Sequence, residues 1–271
     1  MAQTPVDSVV ARLTEFGIRN LIVISGVAGT GKTHYALQAA IKYSGSPLFV
    51  KQIQFHSSYS YEDLIEGLRP NTSGGFDLVN GSLIDWNDQA LRDPDNRYVF
   101  LIEELTRANV SSVLGEIFTF IEYRDRSFQL PISKRQMKLA PNLSLLATMN
   151  PQDRSALELD DALLRRLRIF SLPPSVVELN SILDQSLAAT PFEEAGRIRQ
   201  GLISLFETCK ERFPASFEEL MPFGHAVFAH IKTEEDLRQL WKEQLKYLLQ
   251  RNQHVPAHPF AEVIRELYIW K

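Results

Sequence analysis

The segment GVAGTGKT, Gly26 to Thr33, constrains this chain more than any other stretch of it. It fits the pattern GxxxxGK[ST], preceded by the apolar run Leu21 to Ser25 and followed by the helical sequence HYALQAA. Glycines at these positions let backbone amides wrap phosphate oxygens at the positive end of a helix. Strand, tight loop and helix in succession are the seed of an α/β fold. Lys32 is expected to reach the β- and γ-phosphates of a nucleotide, and Thr33 to offer its hydroxyl to Mg2+. Gly26, Ala28, Gly29, Thr30, Gly31 and His34 complete the expected nucleotide-binding segment. A glycine-rich turn without a ligand is the competing account, but the bare pattern arises by chance in only roughly one chain per hundred of this length.

Five short apolar or β-rich runs, each followed by helical or loop sequence, extend the pattern: Leu21 to Ser25, Pro47 to Gln52, Tyr98 to Ile102, Leu143 to Thr148 and Arg168 to Leu172. Such alternation reads as a parallel sheet with flanking helices. After Pro173 and Pro174 only helical spacing is seen, in Phe192 to Phe213 and in Thr233 to Gln250, where Leu237, Leu240, Trp241, Leu245, Leu248 and Leu249 share a face and Thr233 reads as an N-cap. The expectation is an α/β domain over residues 1–173 and a small helical domain over 174–271. Two stretches, 69–82 and 123–142, read as long loops; the second has hairpin-like alternation and five basic residues.

With 44 % hydrophobic residues in 271, the chain has material for a sizeable core. A formal net charge of −4 argues against coating nucleic acid or anionic membrane by bulk charge. The single cysteine, Cys209, excludes an internal disulfide and a cysteine-built metal site, and its register with Ile198, Leu202, Phe206 and Phe213 marks it as a core thiol. The N-terminal sequence lacks the apolar core of a signal peptide, and no run approaches the roughly 20 residues of a membrane span. A cytoplasmic location without membrane contact is expected.

The run Tyr98 to Ile102 ends in Glu103 and Glu104. Behind a phosphate loop, such a pair serves a metal and an attacking water; a charged strand end facing solvent is the alternative. Five further segments occur in order: FHSSYSYEDLIEGLRP (55–70), FLIEELTRANVSSVLGEI (100–117), ATMNPQDRS (147–155), LDDALLRRL (159–167) and FGHAVF (223–228). Together they resemble the McrB-type branch of AAA+ NTPases, related to the dynein and MoxR-like groups. The resemblance spans residue 20 to about 250. It implies a phosphate-loop α/β core followed by a helical lid, and Mg2+-dependent hydrolysis of ATP or, as the alternative, GTP.

The resemblance also implies residue roles. Glu103 joins Thr33 at the metal, Glu104 is the base or water-orienting group, and Asn150 is the sensor that positions the water. One of Arg165 and Arg166 reaches a neighbouring subunit's site. Arg107 and Asn109 face a subunit boundary, although Asn109 reads equally well as a helix N-cap. His225 sits where the lid's first turn meets the nucleotide. An arginine supplied from a neighbour requires a homo-oligomer, expected to be a hexameric ring, with a separate nuclease or effector as partner in a restriction or defence system and DNA reached through that partner. A nucleotide-binding scaffold with little hydrolysis is the second reading. A small-molecule kinase is disfavoured because it leaves ATMN, the double arginine and the helical C-terminal region without a role.

Three departures stand out. Glu103 replaces the usual aspartate, Thr106 the usual asparagine, and Leu164 interrupts the arginine run. Only about twenty residues precede the first strand, where McrB-type proteins commonly carry a DNA-reading domain. The NxxD outline of NPQD (150–153) is too short to decide the base.

Overall fold

The structure, a computed structural model, describes residues 4–153, 161–251 and 259–271. Arg154 and Ser155 of one motif, and Leu159 and Asp160 of the next, lie outside the described residues. The described strands are Leu21–Ser25 (β1), Val50–Gln54 (β2), Glu66–Pro70 (β3), Phe76–Asn80 (β4), Tyr98–Glu103 (β5), Phe128–Gln129 (β6), Gln136–Met137 (β7), Leu143–Met149 (β8) and Leu167–Ser171 (β9). Five of them form one sheet in the order β2, β5, β8, β1, β9, with β1, β8, β5 and β2 pairing in parallel.

Burial follows position in the sheet. The inner strands β1 and β8 are buried at every residue and β5 at all but the last, whereas the edges β2 and β9 each expose three of their five residues. Apolar runs covered on both faces are what a parallel α/β sheet requires. Edges carrying Lys51, Gln52, Gln54 and Arg168 discourage further strand addition. All five runs singled out in the sequence are strands of this sheet. The second starts later than expected because Pro47–Phe49 forms a 3-10 turn capped by Ser46.

The chain divides into two compact units. The first holds the residues up to Ser25 together with Lys32–Phe170, and the second holds Gly26–Gly31 with the chain from Ser171 onward. In the first unit, Val23, Phe100, Ile102, Leu145 and Ala147 pack with Leu64, Leu83, Trp86 and Ile117. The helix Pro5–Phe16 opens it, with Thr4 accepting the Asp7 N–H at 3.2 Å.

The stretch 69–82 is not a loop. It closes a two-stranded antiparallel hairpin, with Leu68 opposite Leu78 and Pro70 opposite Phe76, and then starts the helix Ser82–Arg92. The reason lies in the turn: the Asn71 side chain accepts the N–H groups of Ser73 and Gly75 at 3.1 and 2.9 Å, and Gly74 takes φ +80°. The hairpin-like alternation of 123–142 appears as β6 paired with β7. Of its basic residues, Arg124 is buried rather than solvated and donates to the carbonyls of Ala140 and Leu143, both at 2.7 Å. Burial takes its pKa down to about 10. The buried Glu66 ties the two hairpins, accepting from Ile132 N–H at 2.7 Å and Ser133 N–H at 3.1 Å.

From Val176 onward the described elements of the second unit are all helices, around a core of Leu183, Ile198, Phe206, Phe223, Ile264 and Tyr268. Cys209 is fully buried on the helix Phe192–Arg212, and burial pushes its thiol up to about 12. Thr233 and Asp236 form a capping box, as the sequence predicts. The helix after it is not uniform: Trp241–Leu245 is a π turn, whose extra residue per turn brings Leu245 and Leu249 onto the buried face that Leu237 begins. No described helix is long and apolar enough to cross a membrane.

Candidate functional site

Parallel pairing puts the carboxyl ends of β1, β5 and β8 on one edge of the sheet, where open α/β sheets hold ligands. Ser25 lies opposite Met149, Ile102 opposite Ala147 and Glu103 opposite Gln54. The acidic and amide side chains expected at the chemistry therefore lie at one level of the sheet: Glu103 as the last residue of β5, Glu104 just after it, and Asn150 just after β8.

Within the first unit, the helix Lys32–Ser44 opens on two of these groups. Lys32 is buried, and burial lowers its pKa, opposed by the carboxylates of Glu104 and Asp153. The Thr33 hydroxyl donates to Glu103 Oε2 at 3.0 Å. The other oxygen, Glu103 Oε1, accepts from the Gln52 side-chain amide. Hydroxyl and carboxylate side by side are the hard oxygen donors that Mg2+ prefers, so these residues fit the cation the phosphate loop implies.

Glu104 adopts a left-handed backbone, φ 54° and ψ 49°, uncommon for a residue with a long side chain. Such strain survives only where neighbours over-determine it. Here the Glu104 N–H donates to Thr148 Oγ1 at 3.2 Å, and its carbonyl accepts the Arg107 N–H at 2.8 Å. The turn takes Glu104 out of β5, which ends one residue earlier. Its Oε2 is buried without a hydrogen-bond donor and lies 3.6 Å from Arg107 Nε. Arg107 also pairs with Asp153 at 3.4 Å, and Asp153 accepts the Thr106 hydroxyl at 3.3 Å. Thr106, the odd residue in its motif, thus binds the last residue of NPQD. Asn150 is half-buried, with Oδ1 accepting the Gln152 N–H at 3.1 Å.

The arginine run separates into two environments. Arg166 is buried, ion-paired to Glu122 Oε2 at 3.0 Å with its guanidinium 5.4 Å from the Phe118 ring. Arg165 is exposed. Asn109 is an N-cap, accepting the Ser112 N–H at 3.0 Å, and His34 is an exposed residue stacked edge-on with Tyr35.

In the second unit, Gly29 and Gly31 take φ +79° and +80°, which only glycine adopts without strain. A Cβ on Gly26 would lie 2.5 Å from the Leu172 carbonyl oxygen. Thr30 is buried, its hydroxyl donating to the Val27 carbonyl at 3.1 Å. Two backbone bonds clamp the loop: Gly224 N–H to the Ala28 carbonyl and Ala226 N–H to the Gly29 carbonyl, both 2.7 Å. His225, between them, is 1 % exposed and accepts the Ser175 N–H at Nδ1, 3.1 Å away. Burial brings its pKa down to about 4, against the pull of the Glu178 carboxylate and the Thr30 backbone.

A folded value of about 4, below the ordinary 6.5, has a definite sign. The unfolded chain takes up the proton first, so stability is intact above about pH 6.5 and is lost as pH falls toward 4. Between pH 7 and 5 the loss is about 2 kcal/mol, and His225→Gln is expected to remove that slope in denaturant titrations at the two pH values.

Sequence reasoning missed Gln52 and Thr148, which meet the acidic pair only through the sheet register. Spacing along one strand carries no signal for either.

Residues 21–167 match the AAA domain of the dynein-related subfamily. The chain is 34 % identical to the Type IV methyl-directed restriction enzyme EcoKMcrB subunit of Escherichia coli K12, over 64 % of this chain and 39 % of that protein. It is 26 % identical to the Type II restriction enzyme BsuMI component YdiS of Bacillus subtilis 168, over 53 % of this chain and 54 % of that protein. The match thus spans about two fifths to a half of these relatives' length. With a phosphate loop, an acidic strand end and a family match covering more than half of its length, the chain belongs to the dynein-related subfamily of AAA domains, a family that binds nucleotide with a divalent metal.

Proposed function

We propose that the chain is a Mg2+-dependent nucleoside triphosphatase, with ATP the favoured substrate and GTP the alternative, working as one subunit of a ring. The observation that carries this reading is the Thr33 hydroxyl held 3.0 Å from Glu103, with Glu104 turned out of the strand at the next position. Residues 26–33, contiguous in the chain, hold the phosphates: loop amides cradle them and the Lys32 ammonium neutralises the β- and γ-oxygens. Thr33 and Glu103 hold the cation, which when bound offsets charge on the phosphate oxygens. Glu104 Oε2 takes a proton from the attacking water, and the Asn150 amide orients that water. His225, neutral at pH 7, supports the loop's shape rather than adding charge. The extra methylene of Glu103 relative to aspartate slows turnover without abolishing it.

Arg165 completes the neighbour's site, because Arg166 is already held by Glu122 and Phe118. Hydrolysis then requires assembly, and a closed head-to-tail hexamer supplies each site with one such arginine. Both relatives are named as parts of restriction enzymes. We extend that setting to this chain, which serves a restriction or defence system beside a separate nuclease or effector and meets DNA through that partner.

One observation favours a scaffold that binds nucleotide and hydrolyses little: Arg107 lies 3.6 Å from Glu104 Oε2 in the isolated subunit. Phosphate release with Mg2+ and ATP or GTP in parallel tests both readings. Turnover with one nucleotide well above the other supports the hydrolase and names its base. Tight binding with no phosphate release leaves the scaffold.

A further inference from the structure

We infer that Gln52 is a positioning residue for the Glu103 carboxylate and thereby sets the divalent-cation affinity of the nucleotide site; this rests on the reading above. Glu103 is held at both oxygens within the first unit: Oε2 by the Thr33 hydroxyl at 3.0 Å, Oε1 by the Gln52 side-chain amide. Gln52 lies on the edge strand β2 with its Cα opposite Leu101, two residues before Glu103 on the same face of β5. Its long side chain runs forward along the sheet to reach the carboxylate. An aspartate's oxygens would sit about 1.5 Å nearer the strand, one carbon–carbon bond back, off the position where Thr33 and Gln52 together hold them.

A glutamate at this position has one more rotatable bond than an aspartate, so its carboxylate is less fixed before a cation arrives. Mg2+ demands near-ideal octahedral geometry and repays donors that are already oriented. With Thr33 fixing one oxygen and Gln52 the other, neither the extra torsion nor rotation of the carboxylate plane is left free. Gln52 thus restores the order that the longer side chain forfeits. Its exposed setting on an edge strand gives it little part in the core, so its replacement reads on the carboxylate rather than on folding.

The test is a double-mutant cycle on the full chain, reading the Mg2+ concentration at which a fluorescent ATP or GTP analogue is half-saturated. The variants are Gln52→Met, which keeps length and loses the amide, Glu103→Asp, and the two together. Partners behind a metal ligand typically change affinity 10–100-fold. We expect Gln52→Met to raise the half-saturating Mg2+ by about tenfold in the Glu103 chain and by clearly less in the Glu103→Asp chain. Binding without Mg2+ and the melting temperature should be the same for Gln52→Met as for the unmodified chain. A flat response to Gln52→Met, or an equal response in both backgrounds, overturns the assignment. Failure of the unmodified chain to bind nucleotide in any Mg2+ concentration instead overturns the nucleotide reading, and the Gln52 role with it.

Discussion

Glu104→Gln is expected to lower phosphate release by about 10²–10⁴-fold while the nucleotide still binds. The amide is isosteric with the carboxylate and keeps the left-handed turn, which is fixed by backbone bonds from Glu104 N–H to Thr148 Oγ1 and from Arg107 N–H to the Glu104 carbonyl. What it removes is the capacity of Oε2, buried and without a donor, to take a proton. Phosphate release at saturating nucleotide, set beside equilibrium binding of a fluorescent analogue, separates the two effects. If turnover and affinity fall together, Glu104 is a binding group and the base lies elsewhere.

Arg165→Ala is expected to cost about 10³–10⁵-fold in turnover, the range for an arginine supplied to a phosphoryl-transfer site from outside. Arg166→Ala should act differently. It strips Glu122 of a buried ion-pair partner and Phe118 of its overlying guanidinium, so it costs about 3 kcal/mol of stability before any effect on assembly. The decisive comparison is a mixture. Arg165→Ala subunits keep Glu104, and Glu104→Gln subunits keep Arg165, so about a quarter of the interfaces in a random ring carry both groups intact. Two inactive preparations should regain activity when combined. A mixture as inactive as its components places Arg165 outside the neighbour's site.

The sequence made the main sheet legible because its signals are local. β1 and β8 are apolar runs bounded by turn residues, and GVAGTGKT carries its own strand-and-helix context. The hairpin of β3 and β4 is hard to see in residues 69–82 because its alternation is weak: Leu68 and Leu78 are exposed, and the turn is closed by an Asn71 side chain rather than by a two-residue signal. Glu103, Glu104 and Asn150 are legible in the sequence as residues at the ends of apolar runs, with the role of Asn150 implied by the resemblance alone. Gln52 and Thr148 are not, since their contacts with the acidic pair exist only once β2, β5 and β8 lie side by side. Arg165 and Arg166 were indistinguishable as adjacent letters; burial of one against Glu122 and exposure of the other separates them. The clamp of Gly224 and Ala226 on the phosphate loop joins residues nearly two hundred positions apart, beyond the reach of any periodicity.

The central claim is that hydrolysis needs two subunits, one supplying Glu104 and its neighbour Arg165. The most direct test is phosphate release per subunit as a function of protein concentration, with Mg2+ and saturating nucleotide, and with Glu104→Gln as the blank. Turnover per subunit is expected to rise with concentration to a plateau as the ring assembles, above a flat blank. Turnover per subunit that is constant from the most dilute protein upward, or indistinguishable from the blank while nucleotide is bound, would contradict it.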